Sequence, residues 1–572
     1  MNTFSAPQAA DLQRKKTSDL SAFLRKVVPR LALWLFPILF LLVFFFLPLS
    51  RILSLALDPS ALNKENFELI VATLRFTFYQ AALSTFLTFL LGLPSAVLFA
   101  RYNFRGKTFL RALTAIPFML PTVVVAAAFT SLLGPRGWIN TLFPLSSFQF
   151  IGTLSAILIA HVFYNTTIVI RIVSNALSRL DLKLEQAARS LGADSFRVWW
   201  NVILPLLRPS LLAAALLVFL FDFTSFGVVL LLGGSKFITL EVEIYLRVLK
   251  LPNLSLAALL SIIQLIFTLI ISILYTRMVN QTTVQTAPRF STSRPVKSIR
   301  EKIFVIVFCL LLSVFFILPL ASLPFRSIAR LEADRGQRGE VQYGPTMDYY
   351  KELFINRRDS LFYVPPIQAA LNSLGYACIT VLLSLALGYP AAVALARPGS
   401  LEKILDPLIM LPLGASAVML GLGFIINFGG ALSSPFFVPI AHTLVALPFV
   451  IRTLQPALAS IPERLRQAAS TLGASPFRVW QNVDWPILSR ATLTAATFAF
   501  TISLGEFGAT LLLTRPEYPT IPIAIQRFLS QPGGLNYGQA MAMSTILMSI
   551  TMIGILLIEK IRLSNDAGHD HF

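Results

Sequence analysis

The sequence predicts an all-α polytopic membrane protein with about 12 transmembrane helices in two parallel six-helix repeats. Three observations predict it. Hydrophobic residues make up 56% of the chain and charged residues only 13%, well away from the balance of a soluble domain. Apolar runs of about 20 residues recur, the length that crosses a bilayer core, and the alternating ten-residue strands of a barrel are absent. A polar stretch lying between two of these runs then returns 281 residues later, with 17 of 30 positions identical from Gln186 to Ala215.

In chain order, residues 1–30 form a basic cytoplasmic tail, with Arg14, Lys15, Lys16, Arg25, Lys26 and Arg30. The first span that follows is expected to remain as an anchor rather than a cleaved signal. The first repeat, 31–276, offers spans at about 31–50, 74–100, 109–133, 154–176, 205–232 and 254–276. Residues 277–302 carry Pro288 and Pro295 and read as a cytoplasmic linker. The second repeat, 303–560, offers spans at about 303–324, 370–396, 404–428, 436–458, 486–513 and 537–558, and 561–572 is a second cytoplasmic tail. An even span count in each repeat gives both the same orientation, with a pseudo-two-fold along the membrane normal and a central path between them. Smaller echoes support the duplication: Gly92-Leu93-Pro94 and Arg101 with Gly388-Tyr389-Pro390 and Arg397, His161 with His442, and Phe226-Gly227 with Phe507-Gly508.

The net charge of +20 falls mostly in the segments expected inside, as the positive-inside rule requires, so it gives no argument for nucleic acid. Cys309 and Cys378 both lie in apolar runs and imply neither a disulfide framework nor a Cys-rich metal site. Gly106-Lys107-Thr108 is no phosphate loop, because Arg101 stands where the earlier glycine is needed.

The repeated stretch reads as two short helices with a break. In the first copy, Gln186-Ala187-Ala188 leads to Gly192, then Phe196 and Trp199, then Pro205. In the second, Gln467-Ala468-Ala469 leads to Gly473, then Phe477 and Trp480, then Pro486. Apolar residues from Leu180 to Leu191 recur at helical spacing, and glycine suits the left-handed residue that ends such a helix. Pro205 and Pro486 suit the start of the next membrane helix, where a missing N–H costs little. A short helix joined rigidly to a membrane helix is a shape that transmits a push. The pairs Phe196/Trp199 and Phe477/Trp480 suit aromatic knobs in a partner's groove or anchors at the membrane interface. Arg189, Arg197, Arg464 and Arg478 suit either a partner or anionic headgroups.

These stretches resemble the coupling loop of type I, binding-protein-dependent ABC importer permeases. That family's pattern is Glu-Ala-Ala, three residues, Gly, nine residues, then Ile-x-Leu-Pro. It matches Gln186, Ala187, Ala188, Gly192, Val202, Leu204 and Pro205, and Gln467, Ala468, Ala469, Gly473, Val483, Trp485 and Pro486, with Gln for Glu in both copies and Trp485 for Leu. The resemblance covers about 74–276 and 370–558. It implies a fused double-length permease that moves a small solute inward by alternating access and is not itself an enzyme. Two copies of a cytoplasmic ABC ATPase would bind ATP and Mg, this chain holding no cofactor, and would push coupling helices 184–192 and 465–473. A solute-binding protein would deliver the substrate from outside. The chain would lie in the bacterial plasma membrane with both termini cytoplasmic.

Asp222 and Glu506 are the acids deepest in the predicted spans. Buried ionisable groups there either line a water-filled path or pair within the bundle. Phe226 and Phe507 adjoin them, and Glu506-Phe507-Gly508 resembles the Asp-Phe-Gly of iron(III)- and thiamine-type permeases. His161 and His442 contact substrate or, more commonly for such residues, bond a neighbouring helix. Leu232-Gly233-Gly234, Thr239-Leu240-Glu241, Ile244-Tyr245 and Gly137-Trp138 look similar to thiamine permeases, with fused iron(III) permeases the close alternative. His569 and His571 belong to an unstructured tail. An ion-gradient-driven secondary transporter is the competing class. It suits twelve spans in parallel halves, but predicts coupling acids in the spans and no duplicated cytoplasmic helix pair.

Overall fold

The computed structural model describes residues 32–142, 149–282, 293–330, 344–356 and 364–566. The expected tail 1–30, the residues His569 and His571, and part of the linker lie outside them. Twenty helices are numbered so that each in the first half has its counterpart ten labels later. The first half comprises α1 Ala32–Ala56, α2 Lys64–Arg101, α3 Lys107–Met119, α4 Thr122–Leu133, α5 Leu154–Arg179, α6 Leu182–Ser190, α7 Ser195–Phe223, α8 Gly227–Leu232, α9 Leu240–Leu249 and α10 Leu254–Thr282. The second comprises α11 Ile299–Ser327, α12 Gln368–Leu395, α13 Ser400–Gly414, α14 Ala417–Phe428, α15 Phe437–Ala459, α16 Glu463–Thr471, α17 Pro476–Gly505, α18 Gly508–Leu513, α19 Ile521–Leu529 and α20 Gly534–Asp566.

Among the described residues, ten helices are long and apolar enough to cross a membrane, or eleven with a bent pair counted as one. The expected third span of each half is not one straight helix. It breaks at Leu120-Pro121 and at Ala415-Ser416, where the backbone turns extended. In the second half the two pieces meet at 96°. Pro121 offers no N–H to continue the first helix, and Ser416 instead caps the new one, its Oγ accepting from Met419 N at 3.0 Å. Other starts are capped as the sequence allows: Asn63 accepts from Asn66 N, Thr153 from Ala156 N, and Ser298 with Glu301 forms a capping box.

In each half, the second helix packs on the fifth, with a close approach at a glycine. A Cβ on Gly92 would come within 2.7 Å of Val169, and one on Gly388 within 2.8 Å of Val450. Small residues at such crossings let helices approach when the bilayer supplies no hydrophobic drive between them.

The first helix of each half crosses to the other. On α1, Trp34, Leu41 and Phe45 are buried in the second-half core with Phe424 and Leu444. Phe44 lies 5.8 Å from the Phe428 ring, Trp34 Nε1 donates to Glu402 Oε1, and Gly423 leaves room for Pro48. On α11, Leu312, Phe316 and Leu323 are buried in the first-half core, and Phe316 lies 5.4 Å from Phe163. Ser322 hydrogen-bonds Ser131, and Arg326 donates to the Arg136 carbonyl and stands over the Trp138 ring. The end of the linker is also fixed, because Arg294–Pro295 pairs in parallel with Tyr102–Asn103 just after α2.

Candidate functional site

Helices α6 and α16 end alike. Ala193 N donates to Ala188 O and Gly192 N to Arg189 O, and Ala474 N donates to Ala469 O and Gly473 N to Ser470 O. This is the Schellman arrangement, and it needs a left-handed residue. Gly192 has φ +85° and Gly473 φ +82°, and a Cβ at either would meet nothing within 4 Å. Backbone conformation, not crowding, therefore selects glycine here. Gln186, Ala187, Gln467 and Ala468 are exposed, and Ala188 and Ala469 are half-buried.

After the glycine, the chain enters α7 and α17 directly. The expectation that Pro205 and Pro486 begin a separate membrane helix is corrected: each lies inside one continuous helix starting at Ser195 or Pro476. A π-helical turn, Trp199–Ile203 or Trp480–Asp484, precedes each proline. The wider turn accommodates a ring that would otherwise strike the preceding carbonyls. The short helix after the break is therefore the membrane helix itself, which makes the link stiffer than the sequence suggested.

Each of these corners presents apolar surface. Leu191 and Leu472 are both 88% exposed, Phe196 is 72% and Phe477 68%. In the second half Phe477 stacks on Trp480, as paired in the sequence, with centroids 6.0 Å apart. In the first half Phe196 stacks instead on Trp200, at 6.1 Å and 11°. Trp200 lies four residues beyond Phe196, and its counterpart in the second half is Gln481. Arg101 at the end of α2 pairs with Glu185 of α6, and Arg397 just after α12 pairs with Glu463 of α16.

Deeper in the bundle, α7 and α17 end at matched Phe-Gly turns. Phe226 and Phe507 stack on each other, with centroids 5.5 Å apart and planes at 28°. Residues related by a two-fold can touch only near its axis, so this stack marks the closed centre of the molecule. A Cβ on Gly227 would strike Thr122 Oγ1 at 2.4 Å, and one on Gly508 would meet Ala417 at 3.1 Å. The starts of α4 and α14 thus press on the two turns.

The flanking acids are buried beside the histidines. Asp222 Oδ1 accepts from Asn165 Nδ2 at 2.6 Å and lies 3.3 Å from His161 Nδ1. His161 also contacts Ser84 Oγ and Ser225 Oγ. Glu506 Oε2 lies 3.4 Å from His442 Nε2. The Glu506 carboxylate caps α18, accepting from Ala509 N and Thr510 N, each at 2.9 Å, and from Thr510 Oγ1 at 2.5 Å. His442 also contacts Ser503 and Thr510. In this closed arrangement both acids serve helix–helix and capping contacts, and neither faces open space. The structure also buries an acid that lies outside the predicted spans. Glu241, on α9, is as buried as Asp222. It lies in a short charged segment that no span window selects, so its depth had no sequence signal beyond its likeness to thiamine permeases.

The family model described as a binding-protein-dependent transport system inner membrane component matches residues 89–284 and 384–561, more than half of the chain in two copies. The chain belongs to this family. It is a permease subunit of an ABC importer, a multi-pass inner membrane protein and a transport subunit rather than an enzyme. Permeases of this family work with an ATPase and a solute-binding protein. Both matched segments begin after α1 and α11, so the two crossing helices lie outside them. The thiamine transport system permease protein of Brucella abortus (strain 2308) is 28% identical over 522 residues, 88% of this chain and 91% of the relative. That of Escherichia coli (strain K12) is 25% identical, covering 85% and 88%. A probable ABC transporter permease protein of Sinorhizobium fredii (strain NBRC 101917 / NGR234) is 26% identical, covering 90% and 92%. Nothing in these matches supports an ion-gradient-driven transporter.

Proposed function

We propose that this permease carries thiamine inward, driven by two copies of a cytoplasmic ATPase docked on α6 and α16. The observation that carries the mechanism is the continuous helix behind each exposed corner. A push on α6 passes through the Gly192 cap into α7 and reaches the Phe226 turn without a flexible joint. The same holds from α16 through Gly473 and α17 to Phe507. Closing the ATPase pair would drive the corners together, and counter-rotation of α7 and α17 would part the stacked rings. ATP and Mg belong to the ATPase in this reading, and the permease binds no cofactor. The corners and both termini are cytoplasmic, and the solute-binding protein docks on the opposite side.

The substrate assignment rests on full-length relatives named for thiamine transport. The iron(III) reading left open by the sequence gains no comparable support. The test is uptake of labelled thiamine into liposomes holding the permease with its ATPase and a thiamine-loaded binding protein. Uptake that requires ATP hydrolysis is expected. Uptake driven by a proton or sodium gradient without the ATPase would overturn the reading.

A further inference from the structure

Helices α9 and α19 are built on one plan. Leu240 N donates to Thr77 Oγ1 of α2 at 3.0 Å, and Ile521 N donates to Ser373 Oγ of α12 at 2.9 Å. One residue further the halves diverge, because Glu241 of the first stands where the second has Pro522. The second half therefore places no acid at this position.

Glu241 is 1% exposed. Its Oε1 accepts from Gln264 Nε2 of α10 at 2.6 Å. The Ser416 hydroxyl, from the second half, is close enough to donate to the carboxylate, and Glu506, also from the second half, is near enough to repel it. Glu241 Oε2 and Gln264 Oε1 are both buried without a hydrogen-bond partner. Acceptors left without a well-placed donor in a dry interior are costly to fold. One turn along α9, Tyr245 stands edge-on to Phe226 at 5.6 Å, and Phe226 stacks on Phe507. Open acceptors and aromatic rings therefore share the centre of the molecule. Aromatic faces attract cations, a carboxylate neutralises them, and an amide oxygen accepts N–H donors. The unfilled groups are all acceptors, which suits a cation with N–H groups and disfavours an anion.

We propose that Glu241, with Gln264 and the rings of Tyr245, Phe226 and Phe507, receives a planar organic cation as the two phenylalanines part. Its carboxylate then sets the preference of the permease for cationic over neutral substrate. This rests on the thiamine reading above, thiamine being a cation of two aromatic rings with an amino group.

The experiment uses the complete complex in liposomes, with permease, ATPase and solute-binding protein. Uptake of labelled thiamine is compared with uptake of its neutral thiophene analogue, each saturating the binding protein. The wild type is expected to favour thiamine. E241Q keeps the Oε1 acceptor and loses the charge, so its thiamine-to-analogue rate ratio falls about ten-fold or more. E241D keeps the wild-type preference. An unchanged ratio in E241Q overturns the inference, and so does a wild type without preference. Equal loss of both substrates in both variants also overturns it, because that marks a structural role. A wild-type complex that takes up no thiamine defeats the thiamine reading and this inference together. Thiamine uptake beside an unchanged E241Q defeats this inference alone.

Discussion

His161 of the first half lies between Asp222 and Ser225, and His442 of the second lies between Ser503 and Glu506. With 281 residues between matched positions, Asp222 corresponds to Ser503 and Ser225 to Glu506. The acid and the hydroxyl have exchanged places around the same histidine. The duplicated scaffold therefore fixes the contact, an imidazole between one acid and one hydroxyl, and leaves open which side supplies the charge. The corners show a second exchange. Arg101 pairs with Glu185 on the fourth residue of α6, and Arg397 pairs with Glu463 on the first residue of α16. Arg466, which stands at the place of Glu185, turns to Asp484 at 2.8 Å. Arginine at the end of the second helix holds the corner in both halves, by acids one turn apart.

The largest effect tests whether the two corners act as equals. Proline at Gly192 or Gly473 cannot take a positive φ, so Gly192→Pro and Gly473→Pro should each abolish co-purification of the ATPase. Loss from only one of the two would mean that the halves do not share the load.

The next effect separates the histidine locks. Without His161, Asp222 keeps only the Asn165 donor on its side chain, whereas Glu506 without His442 keeps three donors. Leaving a buried acceptor without its donor costs about 1–3 kcal/mol. His161→Ala should therefore lower the thermal unfolding midpoint of the purified permease more than His442→Ala does. Equal shifts would refute this ranking. The exchange can also be copied: Asp222→Ser together with Ser225→Glu should unfold at a higher temperature than Asp222→Ser alone.

Smaller still is the difference between the two arginine anchors. The Arg101–Glu185 pair is largely buried and the Arg397–Glu463 pair is half-exposed. Exposed pairs contribute under about 1 kcal/mol, so Arg397→Ala should leave thiamine uptake within about two-fold of wild type. Arg101→Ala should reduce it several-fold, and the reverse order would undo the comparison. The smallest effect concerns the stacked rings. Trp200→Ala should weaken ATPase binding a few-fold, while Gln481→Ala, at the matched site, should leave the measured Kd unchanged.

Much of this was legible in the residues themselves. The break after each short helix was readable at Gly192 and Gly473, because a left-handed cap is a property of one residue. Which ring stacks on Phe196 is not legible, because Trp199 and Trp200 both lie about one helical turn away and only the packing selects Trp200. The break in the third span is not legible, because hydropathy registers an apolar run and not its bend. The burial of Glu241 is not legible from apolar run length, because α9 reaches the interior without a span-length run.

The sequence by itself determined the membrane class, the duplication, the corner helices and their caps. These depend on run length, residue spacing and local backbone chemistry, which a linear chain carries in full. Tertiary structure alone decided that α1 and α11 each pack on the opposite half, that Phe226 meets Phe507, and that an acid on one side faces Ser416 on the other. Each of these joins surfaces from distant segments. Apolar helices of similar hydropathy have many partners available in a bilayer, and only the fit of particular side chains, such as Pro48 against Gly423, selects one.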